Sequence, residues 1–198
     1  MRSLEQSSED PASKKVFIGG SRSLSRLSKQ IKQRLDNMIE RRLTIVVGDA
    51  NGVDKAVQRH LANRSYGNII VFCMADICRN NIGKWPTHEV RAPQGGRRDA
   101  AFFSVKDRAM GAEADYGLML WDGKSRGTLA NIKDLVERQK PVVVYFAPDK
   151  SFLTLRRYEE LSELLGKHSP TPPLHVSSAS HGRQSARNAA HTYDSTRL

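Results

Sequence analysis

Three times in this chain a run of apolar residues as long as a β-strand breaks into a glycine-bearing turn and then into residues with helical spacing. The fullest case is Tyr116-Gly117-Leu118-Met119-Leu120-Trp121, followed by Asp122-Gly123-Lys124-Ser125-Arg126-Gly127-Thr128 and by Leu129, Ile132, Leu135 and Val136 on one helical face. Lys14 to Ile18 runs into Gly19-Gly20-Ser21-Arg22 and a helix expected from Leu24 to Arg41. Leu43 to Val47 runs into Gly48-Asp49-Ala50-Asn51-Gly52-Val53-Asp54 and a helix to about Asn63. A turn of this kind offers backbone N–H groups and a helix N-terminus to an anion, and Ser125 and Thr128 add hydroxyls. A tight strand-to-helix connection without a ligand is the plainer alternative for any one of them.

Further apolar runs at Asn68–Met74 and Pro141–Phe146, with helical patterns at Ala100–Glu113 and Leu155–Leu165, complete an alternation of strands and helices. The strands read as continuous Val/Ile/Leu segments. That implies an α/β class: a Rossmann-like, doubly wound, mostly parallel sheet with helices on both faces. Ligands of such sheets sit beyond the carboxyl ends of the strands, so the three turns are expected at one edge. Periodicity fails between Asp76 and Asp99, where Gly83, Pro86, Pro93, Gly95 and Gly96 interrupt any long element. This segment is read as a long irregular loop carrying Trp85, His88, Arg91, Arg97 and Arg98. Trp85 reads more readily as an aromatic tucked under a loop than as a base-stacking platform, and His88 as a surface histidine.

Charge bears on the partner. The chain carries a net +11. Most of it lies between Lys14 and Gly166, where 27 basic face 17 acidic residues, so the folded part holds the excess. An anionic partner, nucleotide or nucleic acid, fits that balance, as does a solvated basic surface. Residues 1–13 are rich in Ser and Glu, and residues 167–198 in Ser, His, Pro and Ala; both are expected to be disordered tails around a domain at 14–166. No long apolar segment argues for a membrane span, and the N-terminus lacks the apolar core of a signal peptide, so a cytoplasmic protein is expected. Cys73 and Cys78 imply no disulfide framework and offer too few ligands for a structural zinc site. No metal site and no particular cofactor emerge from the sequence.

The three turns resemble those of the SLOG superfamily, which includes the LOG phosphoribohydrolases, the DprA/Smf proteins and YspA-type proteins. Gly19-Gly20-Ser21-Arg22 is similar to the family's first loop, and Gly48 to Asp54 to its second. Lys106-Asp107-Arg108-Ala109-Met110 resembles the basic segment ahead of the fourth strand, and Gly123 to Thr128 the phosphate-binding turn. The resemblance spans about Lys14 to Phe146. It implies a Rossmann-like domain for nucleotides, nucleotide derivatives or nucleic acid. The ligand-binding residues it implies in the first two loops are Gly19, Gly20, Ser21, Arg22, Gly48, Asp49, Ala50, Gly52 and Asp54. Lys106, Asp107, Asp122, Gly123, Lys124, Ser125, Gly127, Thr128 and Asn131 complete the set.

Two departures bear on chemistry. Asn131 stands where LOG enzymes carry a glutamate, and an amide cannot act as a general base. Lys106 stands where they carry an arginine. Binding of a nucleotide or nucleotide-derived ligand, to sense or to hold it, is therefore the first reading. Hydrolysis or transfer at an N-glycosidic bond is the alternative, with Asp122 as the carboxylate placed for catalysis. DprA-like nucleic-acid binding ranks third, since aromatic residues make up only 7% of the chain. Whether a reaction is catalysed is left open. Pairing through helices into a homodimer is compatible with this size and class.

Overall fold

In the computed structural model, the described residues are 13–75, 77–91 and 99–168. The chain divides into a unit ending at His168 and one from Ser169 to Leu198. The second unit, and residues 1–12 of the expected N-terminal tail, lie outside the described residues.

Alternating hydrophobic side chains build the sheet. Along β1 (Lys15–Gly20), Val16 and Ile18 face one way and Phe17 the other, and all three are buried. The same split recurs in β2 (Thr44–Gly48), β3 (Ile69–Met74), β5 (Tyr116–Trp121) and β6 (Val142–Phe146). Each face therefore carries an apolar layer that only helices can cover. Ile31 and Leu35 of α1 (Lys29–Glu40) and Val53, Val57 and Leu61 of α2 (Val53–Asn63) cover one face. Met110 and Ala114 close α3 (Ala100–Glu113) over the other face. There they join Ile132, Leu135 and Val136 of α4 (Arg126–Glu137) and Leu161 and Leu164 of α5 (Tyr158–His168).

The sheet has seven strands in the order β4-β3-β2-β1-β5-β6-β7. All neighbours are parallel except the last pair, which is antiparallel. The chain moves outward from β1 to β4, then returns through α3 to place β5 on the other side of β1. The doubly wound α/β class read from the sequence is the architecture observed, and the reversal puts a switch point between β1 and β5.

Several boundaries differ from the sequence reading. The segment 76–99 is not wholly irregular: Thr87–Val90 forms β4, a parallel edge strand against β3. Its four residues are too few and too polar to print a strand pattern. Ser151–Leu155 forms β7, paired antiparallel to β6, where the sequence shows only the approach to a helix. α1 begins at Lys29 rather than Leu24, because the Ser28 hydroxyl accepts from the Ile31 N–H and caps the helix there; Leu24 and Leu27 pack on the core from the preceding loop. Ser125 caps α4 in the same way, so that helix starts ahead of Leu129. Ser13, assigned to the N-terminal tail, hydrogen bonds the Arg42 carbonyl at 2.7 Å. Cys73 and Cys78 are joined in a disulfide, which spacing alone did not imply. No helix among the described residues is long and apolar enough to cross a membrane.

Candidate functional site

At the carboxyl edge of the sheet, beside the switch point, lies a cavity of about 390 Å³. The ends of β1, β2 and β5 reach it because parallel strands deliver their following turns to the same edge. Gly19 and Gly20, expected in the first turn, line it from the end of β1 and Arg22 from the turn that follows, with Ala50 from the second turn and Asp54 from the start of α2. Asp122, Ser125, Gly127, Thr128 and Asn131 line it from the third turn and α4, and Lys106 and Asp107 from α3. Ser21, Gly48, Asp49, Gly52, Gly123 and Lys124 are not in its wall.

Several of them hold the turns in place. Ser21 is fully buried, and its Oγ accepts from the Asp122 N–H at 3.1 Å and lies 3.3 Å from Thr128 Oγ1. Its own N–H donates to the Leu120 carbonyl at 2.9 Å. Ser21 therefore stitches the turn after β1 to the turn after β5. Gly52 has φ of +83°, and a Cβ there would stand 2.5 Å from Arg22 Cα. Only glycine lets the second turn lie against the first. Gly123, at φ +78°, makes the bend after Asp122.

Asp122 is committed to its own turn. Its Oδ1 accepts from the N–H groups of Lys124 at 3.0 Å and Ser125 at 2.8 Å, and its Oδ2 accepts from the Ser23 hydroxyl at 2.6 Å. Burial works against ionisation, but the Ser23 hydroxyl and these amides outweigh it and hold the carboxyl at about 2. It is an ionised Asx-turn residue at the cavity wall, poorly suited to deliver a proton near neutrality.

The polar core of the site lies under the second turn. Asp49, 1% exposed, takes a hydrogen bond from Lys106 Nζ at 2.7 Å and a forked pair from Arg79, Nη2 to Oδ1 at 2.7 Å and Nε to Oδ2 at 3.2 Å. The Arg79 N–H adds a bond to Oδ2 at 3.0 Å. Burial alone would raise this carboxyl; the guanidinium bonds and the Lys106 charge bring it down to about 2. Asp54 and Lys106 converge above Gly48, where a Cβ would stand 2.5 Å from Asp54 Oδ2 and 2.9 Å from Lys106 Nζ.

Asp54 and Asp107 behave oppositely to Asp49. Burial pushes Asp54 up to about 7 against the pull of Lys106, with the Asp107 charge adding to the rise. Burial likewise raises Asp107, against Lys106 and the hydrogen bond from the Asn131 side chain. The cavity thus holds two carboxyls that favour their protonated forms more than an exposed aspartate does. It also has cations at Lys106 and Arg79, and the α4 N-terminus, where Ser125 takes the Thr128 N–H, borders it.

The two acids of the second turn, both expected at the ligand, part company: Asp49 is enclosed by Lys106 and Arg79, while Asp54 lines the cavity, and the residue capping α2 is Gly52. Phe17, Ser23, Arg79, Ala100, Phe103 and Met110 also line it and were not singled out. Arg79 lies over the Phe103 ring at 4.4 Å, so cation and aromatic form one wall. Trp85 is remote from this wall; its indole N–H donates to the Tyr66 carbonyl at 2.9 Å and it is 8% exposed, an aromatic tucked under its loop. His88 stacks on Phe72 at 4.4 Å in the edge strand. Arg97 and Arg98 lie outside the described residues. Asp49 and the two cysteine sulfurs are close enough to hold a metal ion, but the sulfurs are bonded to each other and Asp49 is already engaged.

The fold is that of a Rossmann-like, doubly wound α/β domain with a cavity at the switch point. No family model matches the sequence, and no curated protein matches it. Solved structures do match in fold. DNA processing protein A from Helicobacter pylori, described for its single-stranded DNA binding mode, is 22% identical, with a TM-score of 0.53 over 78% of this chain and 72% of its own. DNA processing protein A from Streptococcus pneumoniae is 20% identical, with a TM-score of 0.48 over 67% of this chain and 50% of its own. The likeness to the Helicobacter protein is one of architecture.

Proposed function

We propose that the cavity holds a nucleotide or nucleotide derivative through its phosphate, as a SLOG-like domain would, and that the protein acts in the cytoplasm by holding or sensing that ligand. The observation carrying this reading is the meeting of three glycine turns around one cavity at the α4 N-terminus. A Cβ on Gly127 would meet no protein atom within 4 Å, which leaves room for a ligand oxygen near the amides of this first turn. Arg22 at the rim and Arg79 in the wall supply positive charge.

The test is calorimetric titration with AMP, NAD and ADP-ribose, with a single-stranded oligonucleotide as competitor. Binding of one of the small ligands, lost in Gly127→Val, is the expected result. If only the oligonucleotide binds, and Gly127→Val leaves its affinity unchanged, the reading fails in favour of a nucleic-acid partner. That alternative draws on the basic charge and on the DNA-binding behaviour of the Helicobacter protein.

A second reading has its own support in Asp54 and Asp107. Asp54, raised to about 7 by burial inside a cavity, is the kind of group that donates and accepts a proton near neutrality, and burial raises Asp107 as well. Under this reading the protein cleaves or transfers at an N-glycosidic bond. Release of free base or ribose phosphate from the same ligands, abolished by Asp54→Asn, would put catalysis ahead of binding.

A further inference from the structure

The segment that brings Arg79 to the cavity is held at one point by a covalent bond. Cys73 is buried near the end of β3, whereas Cys78 is exposed, and the disulfide between them closes the intervening chain onto the strand. Arg79 is the next residue, and its N–H and guanidinium both bind Asp49. Asn80 follows, its side-chain amide donating to the Asp49 carbonyl at 2.7 Å. The fully buried Gln58 then clamps the Asn80 carbonyl at 3.1 Å and the Ile82 N–H at 3.0 Å. A carboxylate oxygen of Asp49 and both sulfurs lie within 4.8 Å of one another.

We propose that Cys73–Cys78 is a reversible thiol–disulfide site that sets whether Arg79 stands in the cavity wall. This rests on the reading of the cavity as an anion-holding site for its functional consequence, but not for the switch itself. The step is thiol–disulfide exchange: a dithiol or glutathione-type reductant attacks the exposed Cys78 sulfur, the sulfur–sulfur bond breaks, and Cys73 leaves as a thiolate that takes up a proton. A second thiol of the reductant resolves the mixed disulfide, so two electrons and two protons reach the protein and the reductant is left as its disulfide. Exposure of Cys78 gives the reductant access, and burial of Cys73 keeps its thiol positioned for closure when an oxidant returns.

Opening the ring restores conformational freedom to a segment whose ordered state then rests on noncovalent contacts alone, the Asp49 and Gln58 hydrogen bonds and the stacking of Arg79 on Phe103. Arg79 is the group with most to lose, because it is the residue next to the bond and lies partly exposed, with 28% of its side chain accessible. When it departs, Asp49 keeps Lys106 as its ionic partner, and the cavity loses a cation.

Hydrogen exchange on the whole protein decides the matter, comparing dithiothreitol-treated with diamide-oxidised samples and counting free thiols by alkylation and mass. The Arg79 and Ile82 amides, both bonded to side chains, should exchange at least about tenfold faster when reduced, and reoxidation should restore protection. Cys78→Ser, at an exposed position, should show the fast exchange with or without oxidant. Equal protection in the two states, or thiols that never reoxidise, overturns the switch. ADP-ribose titration of the two states reads its consequence. Affinity should fall about five- to tenfold on reduction, the loss of one charged contact, and Arg79→Ala should show no such redox dependence. If ADP-ribose binds neither state, the cavity reading is at fault, while the exchange data still stand or fall on their own.

Discussion

Lys106 Nζ lies 2.7 Å from Asp49 Oδ1, with the two side chains 2% and 1% exposed and 57 residues apart in sequence. Lysine arrives from α3 and aspartate from the end of β2, so the pair fastens one helical layer to the cavity edge of the sheet. Removing charges from water is costly, and the pair is sustained by the forked bonds that Arg79 adds to the same carboxylate.

Lys106→Met should destabilise the fold by an amount at or below the ~3–5 kcal/mol usual for stranding one member of a buried pair, because Arg79 still faces Asp49. Urea denaturation of the two single variants and of Asp49→Asn/Lys106→Met measures it. The double variant should cost clearly less than the sum of the singles. Additive costs would mean the two residues do not act as a pair.

Stability should depend on pH in two windows of opposite sign. Asp49 and Asp122 titrate at about 2 in the fold and near 3.8 when unfolded, so their contribution is present above about 4 and is lost as pH falls toward 2. Asp54 titrates at about 7 in the fold, so between about 4 and 7 the folded state holds more protons and stability declines as pH rises. Asp54→Asn should flatten that second slope and leave the first unchanged. Denaturation midpoints taken from pH 2 to pH 8 give the answer.

Gly127→Ala should leave the fold intact or stabilise it by about 0.5–1 kcal/mol, the ordinary difference between the two residues in a helix. Gly127 is the second residue of α4, does not have positive φ, and a Cβ there is free of protein atoms. A melting curve at or above wild type together with weakened AMP binding would place the ligand against this turn. Weakened binding with a lowered melting temperature would instead indicate damage to the fold.

Gly52→Ala tests the opposite kind of glycine. Its φ of +83° and the approach of Arg22 leave no place for a side chain. A cost of at least ~1–3 kcal/mol in thermal or chemical unfolding is expected from the backbone strain alone. A neutral effect would show that the first two turns are free to part.

Much of this domain was legible in the chain. Strands β1, β2, β3, β5 and β6 carry uninterrupted apolar residues because both their faces are covered, and glycines mark the ends of three of them, Gly20 and Gly52 for close approach and Gly123 for a positive φ. β4 escaped notice because an edge strand with exposed Thr87, His88 and Glu89 has no apolar signature. Arg79 escaped for a different reason. Its place depends on Asp49, thirty positions earlier, and on a disulfide one residue before it, and neither relation leaves a periodic trace. The contrast between Asp49 and Asp54 was likewise hidden, since both follow β2 and only packing decides which carboxyl is enclosed and which faces the cavity.

β1 sits between β2 and β5, and the bond from Asp122 to Ser21 spans 101 positions. As the chain is synthesised, β1 to β4 can pair while the other edge of β1 still lacks a neighbour, exposing a strand edge open to wrong partners. The arrival of β5 closes that edge and at the same moment supplies the far wall of the cavity. A half-made domain therefore has no cavity with which to hold a ligand, and a bound ligand draws its stabilising effect from the completed chain alone.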